Sequence, residues 1–231
     1  MSPDPAPSPT RRRGTSPLRL LLGIGVVAAV ALGAWIGWLY WGSVQWAHSR
    51  ADAEVADLRS RWGAEPAPTP STDSGRVPEF VADPVVGRAE WVLTVPALGG
   101  RAWPVIVGAD PASVARGVGW YPSSQQPGQV GNFAVTGLRI TQAQAFSNLL
   151  SLDAGDTVVV ESREAFFTYT IISAPRDLTV QADDRWVLDP VPGRDDLAPT
   201  QAFITLTSSE DLIPTDDRCV AFGVLTETKW K

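Results

Sequence analysis

Two stretches of the sequence decide the fold: Gly-Asn-Phe-Ala-Val-Thr-Gly-Leu-Arg at residues 131–139, and Ile-Thr-Leu-Thr-Ser-Ser at residues 204–209. Each contains a short run of the β-branched and aromatic residues that favour strands. Turn-forming residues, Pro127-Gly and then Gly131, precede the first run. The sequence therefore predicts strands at Asn132–Thr136 and Ala202–Thr207.

The same pattern of short β-rich runs between turn residues recurs from about residue 85 onward. It predicts six further strands, at Trp91–Val95, Trp103–Val107, Thr157–Ser162, Phe166–Ile172, Arg185–Leu188 and Cys219–Leu225. Two stretches favour helices: Pro111–Arg116, which follows a plausible N-cap at Asp110, and Ala143–Leu150. Eight short strands at this spacing indicate a mainly β domain, either a closed barrel or a sandwich.

The N-terminal part contains an uncharged apolar run at residues 20–41. At ~1.5 Å per residue such a run can span a ~30 Å hydrocarbon core as one transmembrane helix. Arginines 11, 12, 13 and 19 precede it, so the positive-inside rule predicts a disordered cytoplasmic tail at residues 1–19 and an extracytoplasmic C-terminal part. A cleaved signal peptide is the competing interpretation, but its apolar region is usually shorter.

The segment after this run is expected to be a helical stalk at residues 42–63. Its apolar residues recur at spacings of three and four and form one stripe: Val44, Ala47, Ala51, Val55, Leu58 and Trp62. A helical extension of the span is the preferred interpretation, and a short coiled-coil dimer is the alternative. A Pro-rich linker is predicted at residues 64–84, and the β domain at residues 85–231.

Composition excludes several kinds of protein. The net charge of −6 argues against nucleic-acid binding, which needs clustered Lys and Arg. The single cysteine, Cys219, rules out an internal disulfide, and with only His48 beside it the chain has too few soft ligands for zinc. The pairs Asp183-Asp184 and Asp216-Asp217 could bind calcium, but we interpret them as solvated loop charges. No metal or cofactor is expected.

Six segments, in order along the chain, resemble motifs of the sortase family, particularly the class E sortases of high-GC Gram-positive bacteria. They are Val95-Pro-Ala-Leu-Gly, Trp103-Pro-Val-Ile-Val-Gly, Gly119-Trp-Tyr-Pro with residues 131–139, Phe167-Thr-Tyr-Thr-Ile, Trp186-Val-Leu-Asp-Pro-Val-Pro-Gly and Ile204-Thr-Leu-Thr-Ser-Ser. The resemblance covers roughly residues 85–225 and implies a sortase-like eight-stranded β-barrel with short helices, preceded by one transmembrane helix.

A working sortase of this kind cuts a sorting signal of Leu-x-x-Thr-Gly type and passes the acyl group to an amine. It uses a cysteine nucleophile, a histidine acid and an arginine that steadies the oxyanion. The resemblance places Leu138 at the histidine position, Ser209 at the cysteine position and Arg218 at the arginine position. Residues of the same motifs are candidates for the peptide groove: Thr136, Gly137, Arg139, Thr207 and Ser208.

Loss of the histidine and the cysteine removes the nucleophile–base pair. Leucine cannot transfer a proton, a serine hydroxyl needs a base to become nucleophilic, and Arg218 stays protonated. Cys219 is expected to face the core if Arg218 faces the groove, because adjacent strand residues point to opposite faces. His48 is expected to lie on the stalk, away from the site.

Two acidic residues follow the Ser208-Ser209 pair. Ser208 and Ser209 with Glu210 or Asp211 could form an unfamiliar serine site, although solvated carboxylates are the commoner case. Four tryptophans could line a peptide groove, but burial in the barrel is favoured: Trp91, Trp103, Trp120 and Trp186.

Three functions follow as expectations. The first is a catalytically inactive, membrane-anchored sortase-like protein that binds a sorting-signal-like peptide or an envelope partner. The second is an enzyme that uses Ser209. The third is a structural envelope protein that dimerises through its span and stalk.

Overall fold

The computed structural model describes residues 17–64, 78, 80–209 and 215–231. It divides into two compact units, residues 1–42 and residues 43–231. Helix α1 spans Pro17–Ala64 and so extends through the predicted span and stalk without a break. Most of the predicted tail and of the predicted Pro-rich linker lies outside the described residues.

The first unit contains the predicted transmembrane segment. Within the described residues, no helix combines the length and the apolar character that crossing a membrane requires. The prediction of a membrane span at residues 20–41 is therefore not supported by the structure.

The second unit is built on nine strands that form a single sheet. They are β1 (Ala89–Thr94), β2 (Ala102–Val107), β3 (Val118–Trp120), β4 (Gly131–Gly137), β5 (Thr157–Glu161), β6 (Ala165–Ser173), β7 (Thr179–Gln181), β8 (Ala202–Ser209) and β9 (Asp217–Trp230). The order is β6-β5-β1-β2-β3-β4-β8-β9-β7, and an additional β6–β9 pairing closes the sheet on itself. The result is an eight-stranded barrel with β7 added beside β9, which confirms the predicted barrel.

Two pairs of neighbouring strands, β2–β3 and β4–β8, are parallel, and the others are antiparallel. The parallel β4–β8 pair matters most for the site, because parallel strands end at the same edge of a sheet. The last residues of β4 and β8 therefore lie side by side, and β9 begins at the same end of the barrel.

Two predicted elements differ from the structure, and a third is confirmed. Arg185–Leu188 forms a 3₁₀ helix and not a strand. The predicted helix at Ala143–Leu150 is reduced to a 3₁₀ turn at Leu149–Ser151, and positive φ angles at Gln142 and Gln144 (56° and 53°) are incompatible with a helix there. The predicted helix after Asp110 is confirmed as α2 (Pro111–Val114), since the Asp110 side chain accepts hydrogen bonds from the first turn.

The barrel interior is an apolar core in which aromatic rings pack edge to face. Trp91 contacts both Trp120 and Phe133, with ring centroids 5.1 and 5.8 Å apart. Trp103 is also buried. These three tryptophans are core residues, as expected. Trp186 is half-buried outside the barrel, where it packs on Phe222.

The second half of α1, residues 43–64, packs against the barrel wall. Four residues of its apolar stripe are buried, namely Ala47, Ala51, Val55 and Leu58, while Val44 and Trp62 are partly buried. Val55 and Leu58 form a cluster with three strand residues, Ala89, Val92 and Ile106. The predicted stripe therefore packs on the barrel of the same chain.

Ion pairs reinforce this packing. Arg59 and Lys231 both bind the largely buried carboxylate of Glu161, at 2.6 and 2.8 Å. The Lys231 ammonium also lies 4.5 Å from the centroid of the Trp62 ring. These contacts and the apolar cluster place residues 43–64 against β1, β2 and β5.

Candidate functional site

The positions expected to carry catalysis converge where β4, β8 and β9 meet. Residues flanking Leu138 contact the end of β8: the Ser208 hydroxyl donates to the Gly137 carbonyl at 2.6 Å, and an Arg139 guanidinium nitrogen donates to the Ser209 carbonyl at 3.1 Å. Ser209 and Arg218 are direct partners in the β8–β9 pair. The structure thus places Leu138, Ser209 and Arg218 together.

Strand alternation decides which of these side chains share a face. Residues opposite one another in adjacent strands point to the same side of a sheet. Ser209, Arg218 and Val180 are partners across β8, β9 and β7, and they belong to the outer face. Ser208 and Cys219 are paired on the inner face, where both are buried.

A groove of about 540 Å³ opens on the outer face. One wall is the barrel, and the other is the connection from β7 to β8. Its lining residues are Tyr121, Ser123, Val180, Gln181, Ala182, Asp183, Asp184, Arg185, Val187, Leu188, Thr207 and Arg218. Of the predicted site residues, Thr207 and Arg218 line the groove directly.

Tyr121 is a groove residue that the sequence analysis did not single out, although it lies within the quoted Gly119-Trp-Tyr-Pro motif. Burial raises the pKa of its hydroxyl, and this effect is partly offset by a hydrogen bond with the Thr136 side chain and by the charge of Arg218. The hydroxyl therefore remains protonated at neutral pH and can serve as a hydrogen-bonding group. Thr136, a predicted groove residue, therefore contacts the groove residue Tyr121 through this hydrogen bond.

Arg218 lines the groove. Among the described residues, its guanidinium makes two long hydrogen bonds of 3.4 Å, to the carbonyl oxygens of Thr215 and Asp217. The Asp217 carboxylate accepts instead from the Gln181 side chain at 2.8 Å, on the opposite face of the sheet. Within the described part of the chain, no carboxylate is paired with Arg218.

The loop wall of the groove is attached to the barrel by a buried polar network. The side-chain amide of Asn132 donates to the Val187 carbonyl at 3.0 Å, and the Thr205 hydroxyl is 2.9 Å from the Asn132 amide oxygen and 3.1 Å from the same carbonyl. Asn132 and Thr205 have no exposed surface. Because a buried polar group is costly without a partner, this network fixes the position of Val187.

The residues considered as replacements lie elsewhere. Cys219 is fully buried, and its sulfur lies 3.6 Å from the Ser208 carbonyl, which confirms that it faces the core. The Nε2 of His48 lies 3.1 Å from the Ala143 carbonyl, and its ring packs edge-on to Trp103 at 5.3 Å. Glu210 and Asp211 lie outside the described residues.

The two aspartate pairs show no arrangement for a cation. The Asp184 carboxylate accepts from the Gln181 backbone at 2.7 Å, and Asp217 is engaged by the Gln181 side chain. In the portion of the chain that the structure describes, no three His, Cys, Asp or Glu side chains cluster as metal ligands would.

The described residues of the groove supply several hydrogen-bonding groups. Arg218, Tyr121 and Thr207 supply hydrogen-bond donors on one wall, and an aliphatic and charged loop supplies the other. A serine hydroxyl attacks a carbonyl only when a base removes its proton, and a guanidinium cannot accept that proton.

Comparison with known proteins gives a match that extends over most of the barrel. The family model for the sortase domain matches residues 93–226. Sortase SrtE1 of Streptomyces coelicolor is 26% identical over 203 residues, a match that covers 83% of this chain and 52% of that protein. The chain thus spans about half the length of this curated relative.

Solved structures give the same result. Sortase E from Streptomyces avermitilis is 30% identical, with a TM-score of 0.56, and the match covers 63% of this chain and 93% of that one. A second match is the crystal structure of Sortase E1 from Streptomyces coelicolor with a tripeptide in the active site. It is 26% identical, with a TM-score of 0.56, and the match covers 62% of this chain and 91% of that one.

Proposed function

The chain belongs to the sortase family and is related to class E sortases, and from this premise we propose that it is a catalytically inactive member that binds a sorting-signal-like peptide in the groove beside Arg218. The observation that carries the proposal is the combination of an open groove with replaced catalytic positions. Leu138 and Ser209 stand where the family chemistry needs a histidine and a cysteine, while Arg218 still lines the groove.

The placement of the remaining candidates for catalysis supports inactivity. The sequence contains one cysteine and one histidine. Cys219 is enclosed in the barrel core, and His48 is held against the Ala143 carbonyl on the helix that packs on the barrel. Neither side chain belongs to the groove lining, so neither can replace the missing nucleophile or acid without a large rearrangement.

The groove itself supports peptide binding. Its volume of about 540 Å³ suits several peptide residues, and it combines aliphatic side chains with a small number of polar groups, as ligand sites usually do. A tripeptide occupies the active site of the related Sortase E1 structure. In this chain the groove is bounded by Thr207 of β8 and by the 3₁₀ helix at Arg185–Leu188, so we propose that the peptide lies between them.

The location of the protein is part of the same proposal. We place the barrel outside the cytoplasm because the arginine cluster at residues 11–19 precedes the apolar run of the sequence. A sorting-signal-like peptide would be encountered there. Protease accessibility of the barrel in intact cells tests this placement, and protection from added protease would contradict it.

Binding of a Leu-Ala-Ala-Thr-Gly peptide to the full-length chain tests the proposed function. We expect saturable binding by calorimetry, a weaker response to the reversed peptide, and no cleavage of a fluorogenic version. Leu188→Trp should fill the groove and weaken binding at least about tenfold, an estimate based on the free energies of hydrophobic contacts. Leu197→Trp, at an exposed position outside the groove, is the matched control.

Absence of binding at millimolar peptide would overturn the proposal. Turnover of the fluorogenic peptide that is abolished by Ser209→Ala would instead establish the serine enzyme that we consider the weaker hypothesis.

A further inference from the structure

Among the described residues, the groove cation Arg218 uses little of its hydrogen-bonding capacity. A guanidinium has five N–H donors, and in this part of the chain Arg218 makes two long contacts of 3.4 Å to backbone carbonyls. Hydrogen bonds from a guanidinium to a carboxylate are shorter and roughly twice as strong as those between neutral groups. A ligand with an anionic oxygen therefore satisfies Arg218 better than one with a neutral carbonyl.

We infer that the groove prefers a peptide that ends in a free carboxylate, the Leu-x-x-Thr acid left when a sorting signal is hydrolysed, over the uncut signal. This inference rests on the proposed function, because it concerns which chemical form of the peptide the same groove binds. The protein would then be a receptor for cut signals.

The groups around Arg218 favour an anion at this position. The hydroxyls of Tyr121 and Thr207 line the same groove and can add hydrogen bonds to a carboxylate. Burial raises the pKa of the Tyr121 hydroxyl against the opposing effects of Thr136 and Arg218, so the hydroxyl is protonated at neutral pH and can donate. The two oxygens of a carboxylate can accept hydrogen bonds from both hydroxyls and from the guanidinium on this wall.

The acidic residues nearby do not cancel this preference. Asp217 points to the opposite face of the sheet, where Gln181 holds it. Asp184 is bound to the Gln181 backbone, and Arg185 adds a positive charge to the loop wall that contains Asp183. A carboxylate in contact with Arg218 gains a direct ion pair, whereas repulsion from an exposed loop carboxylate is screened by water and salt.

Calorimetry with the full-length chain tests the inference with three acetylated probes: Leu-Ala-Ala-Thr as the free acid, the same peptide as its C-terminal amide, and Leu-Ala-Ala-Thr-Gly amide. Acetylation removes the amino-terminal charge, so the free acid is the only charged probe. We expect the acid to bind about tenfold more tightly than either amide at low salt, and the ratio to fall as salt is added.

Arg218→Gln should reduce the acid-to-amide ratio to about one while leaving amide binding measurable. Arg194→Gln makes the same charge change in an exposed Arg194–Asp196 pair outside the groove lining, and it should leave the ratio unchanged. Equal binding of acid and amide by the native chain would overturn the inference and leave the proposed function intact. If no probe binds at all, both fail.

Discussion

Ser209 and Arg218 lie directly opposite one another in the β8–β9 pair, and the pair that follows, Ser208 and Cys219, points to the other side of the sheet. The register therefore places the two candidate nucleophiles, the Ser209 hydroxyl and the Cys219 thiol, on opposite faces of the sheet. Ser209 lies on the outer face of the sheet together with Arg218, while Cys219, the one thiol in the sequence, is enclosed in the core. A shift of one residue in this register would exchange the two faces.

Packing of α1 on the barrel predicts that its apolar stripe stabilises the whole second unit. Leu58 is 1% exposed and contacts the cluster on β1 and β2. Leu58→Ala should lower the free energy of unfolding by about 2–5 kcal/mol, the usual cost of emptying a buried leucine site. Urea denaturation followed by circular dichroism measures the change.

Leu197→Ala is the matched control, since Leu197 is 45% exposed, and it should change the free energy of unfolding by less than about 0.5 kcal/mol. Equal effects of the two substitutions would mean that the helix does not stay on the barrel in solution. A fragment that begins at residue 78 should likewise be less stable than the full chain, because it lacks the helix.

The buried Asn132–Thr205 network predicts local loosening of the groove wall when it is broken. Thr205→Val removes the hydroxyl that binds both the Asn132 amide oxygen and the Val187 carbonyl. We expect a loss of about 1–3 kcal/mol in the free energy of unfolding, the cost of a buried polar group left without its partner. Peptide binding should weaken by more than this loss of stability explains, because Val187 lines the groove.

Hydrogen exchange separates these two effects. Amides of the 3₁₀ helix at Arg185–Leu188 should exchange faster in Thr205→Val while those of β1 and β2 keep their protection. Thr205→Ser retains the hydroxyl and should restore slow exchange at the 3₁₀ helix. Uniformly faster exchange throughout the barrel would show that the network acts on global stability alone.

Much of the barrel could be predicted from the sequence because its strands carry clear β-rich runs between turn residues. β3 and β7 were missed, since each has only three residues and too little pattern to recognise. Arg185–Leu188 was wrongly predicted as a strand. Its apolar residues pack on Val220 and Phe222 from outside the barrel. Composition alone does not distinguish an apolar segment buried in this way from a strand of the barrel itself.

The strand positions of the candidate site residues could be predicted because sequence motifs fix their register. Contacts between segments far apart in the sequence could not be predicted in this way. The positions of Leu138, Ser209 and Arg218 follow from strands whose order the motifs imply. The stripe on the stalk indicated that one helix face is buried, but periodicity does not identify the surface that buries it. Tyr121 was overlooked because its role depends on a hydrogen bond with Thr136, across two strands.

Buried tyrosines predict that the protein loses stability in alkaline solution. Burial raises the pKa of the Tyr169 hydroxyl, which accepts a hydrogen bond from the Gly128 backbone at 2.8 Å, and burial also raises the pKa of Tyr121. In the unfolded chain a tyrosine ionises near pH ~10. Above that pH the unfolded state releases protons that the folded state retains, so the free energy of unfolding falls as the pH rises.

Urea titrations between pH 8 and pH 11 check this sign. The native chain should hold its stability below pH ~10 and lose it above. Tyr169→Phe should be less stable at pH 8, since Gly128 loses its partner, but its decline above pH ~10 should be shallower. An equally steep decline in the variant would mean that other groups cause the alkaline loss.

The placement of Leu138, Ser209 and Arg218 near one another predicts that two substitutions can give this site peptide-cleaving chemistry. Leu138→His places an acid beside the end of β4, and Ser209→Cys places a thiol on the outer face opposite Arg218. A positioned general acid contributes typically ~10²–10⁴-fold to rate. The double variant should therefore cleave a fluorogenic Leu-Ala-Ala-Thr-Gly peptide at a measurable rate.

Each single variant is a control and should be at least about a hundredfold slower, because a thiol without an acid and an acid without a nucleophile are both incomplete. Arg218→Gln added to the double variant should abolish the gain. Alkylation of the new cysteine, with Cys219 left unreacted in the folded core, would establish that the nucleophile is at position 209. A double variant that is folded, binds the peptide and still does not cleave it would mean that the groove no longer presents the scissile bond to β8.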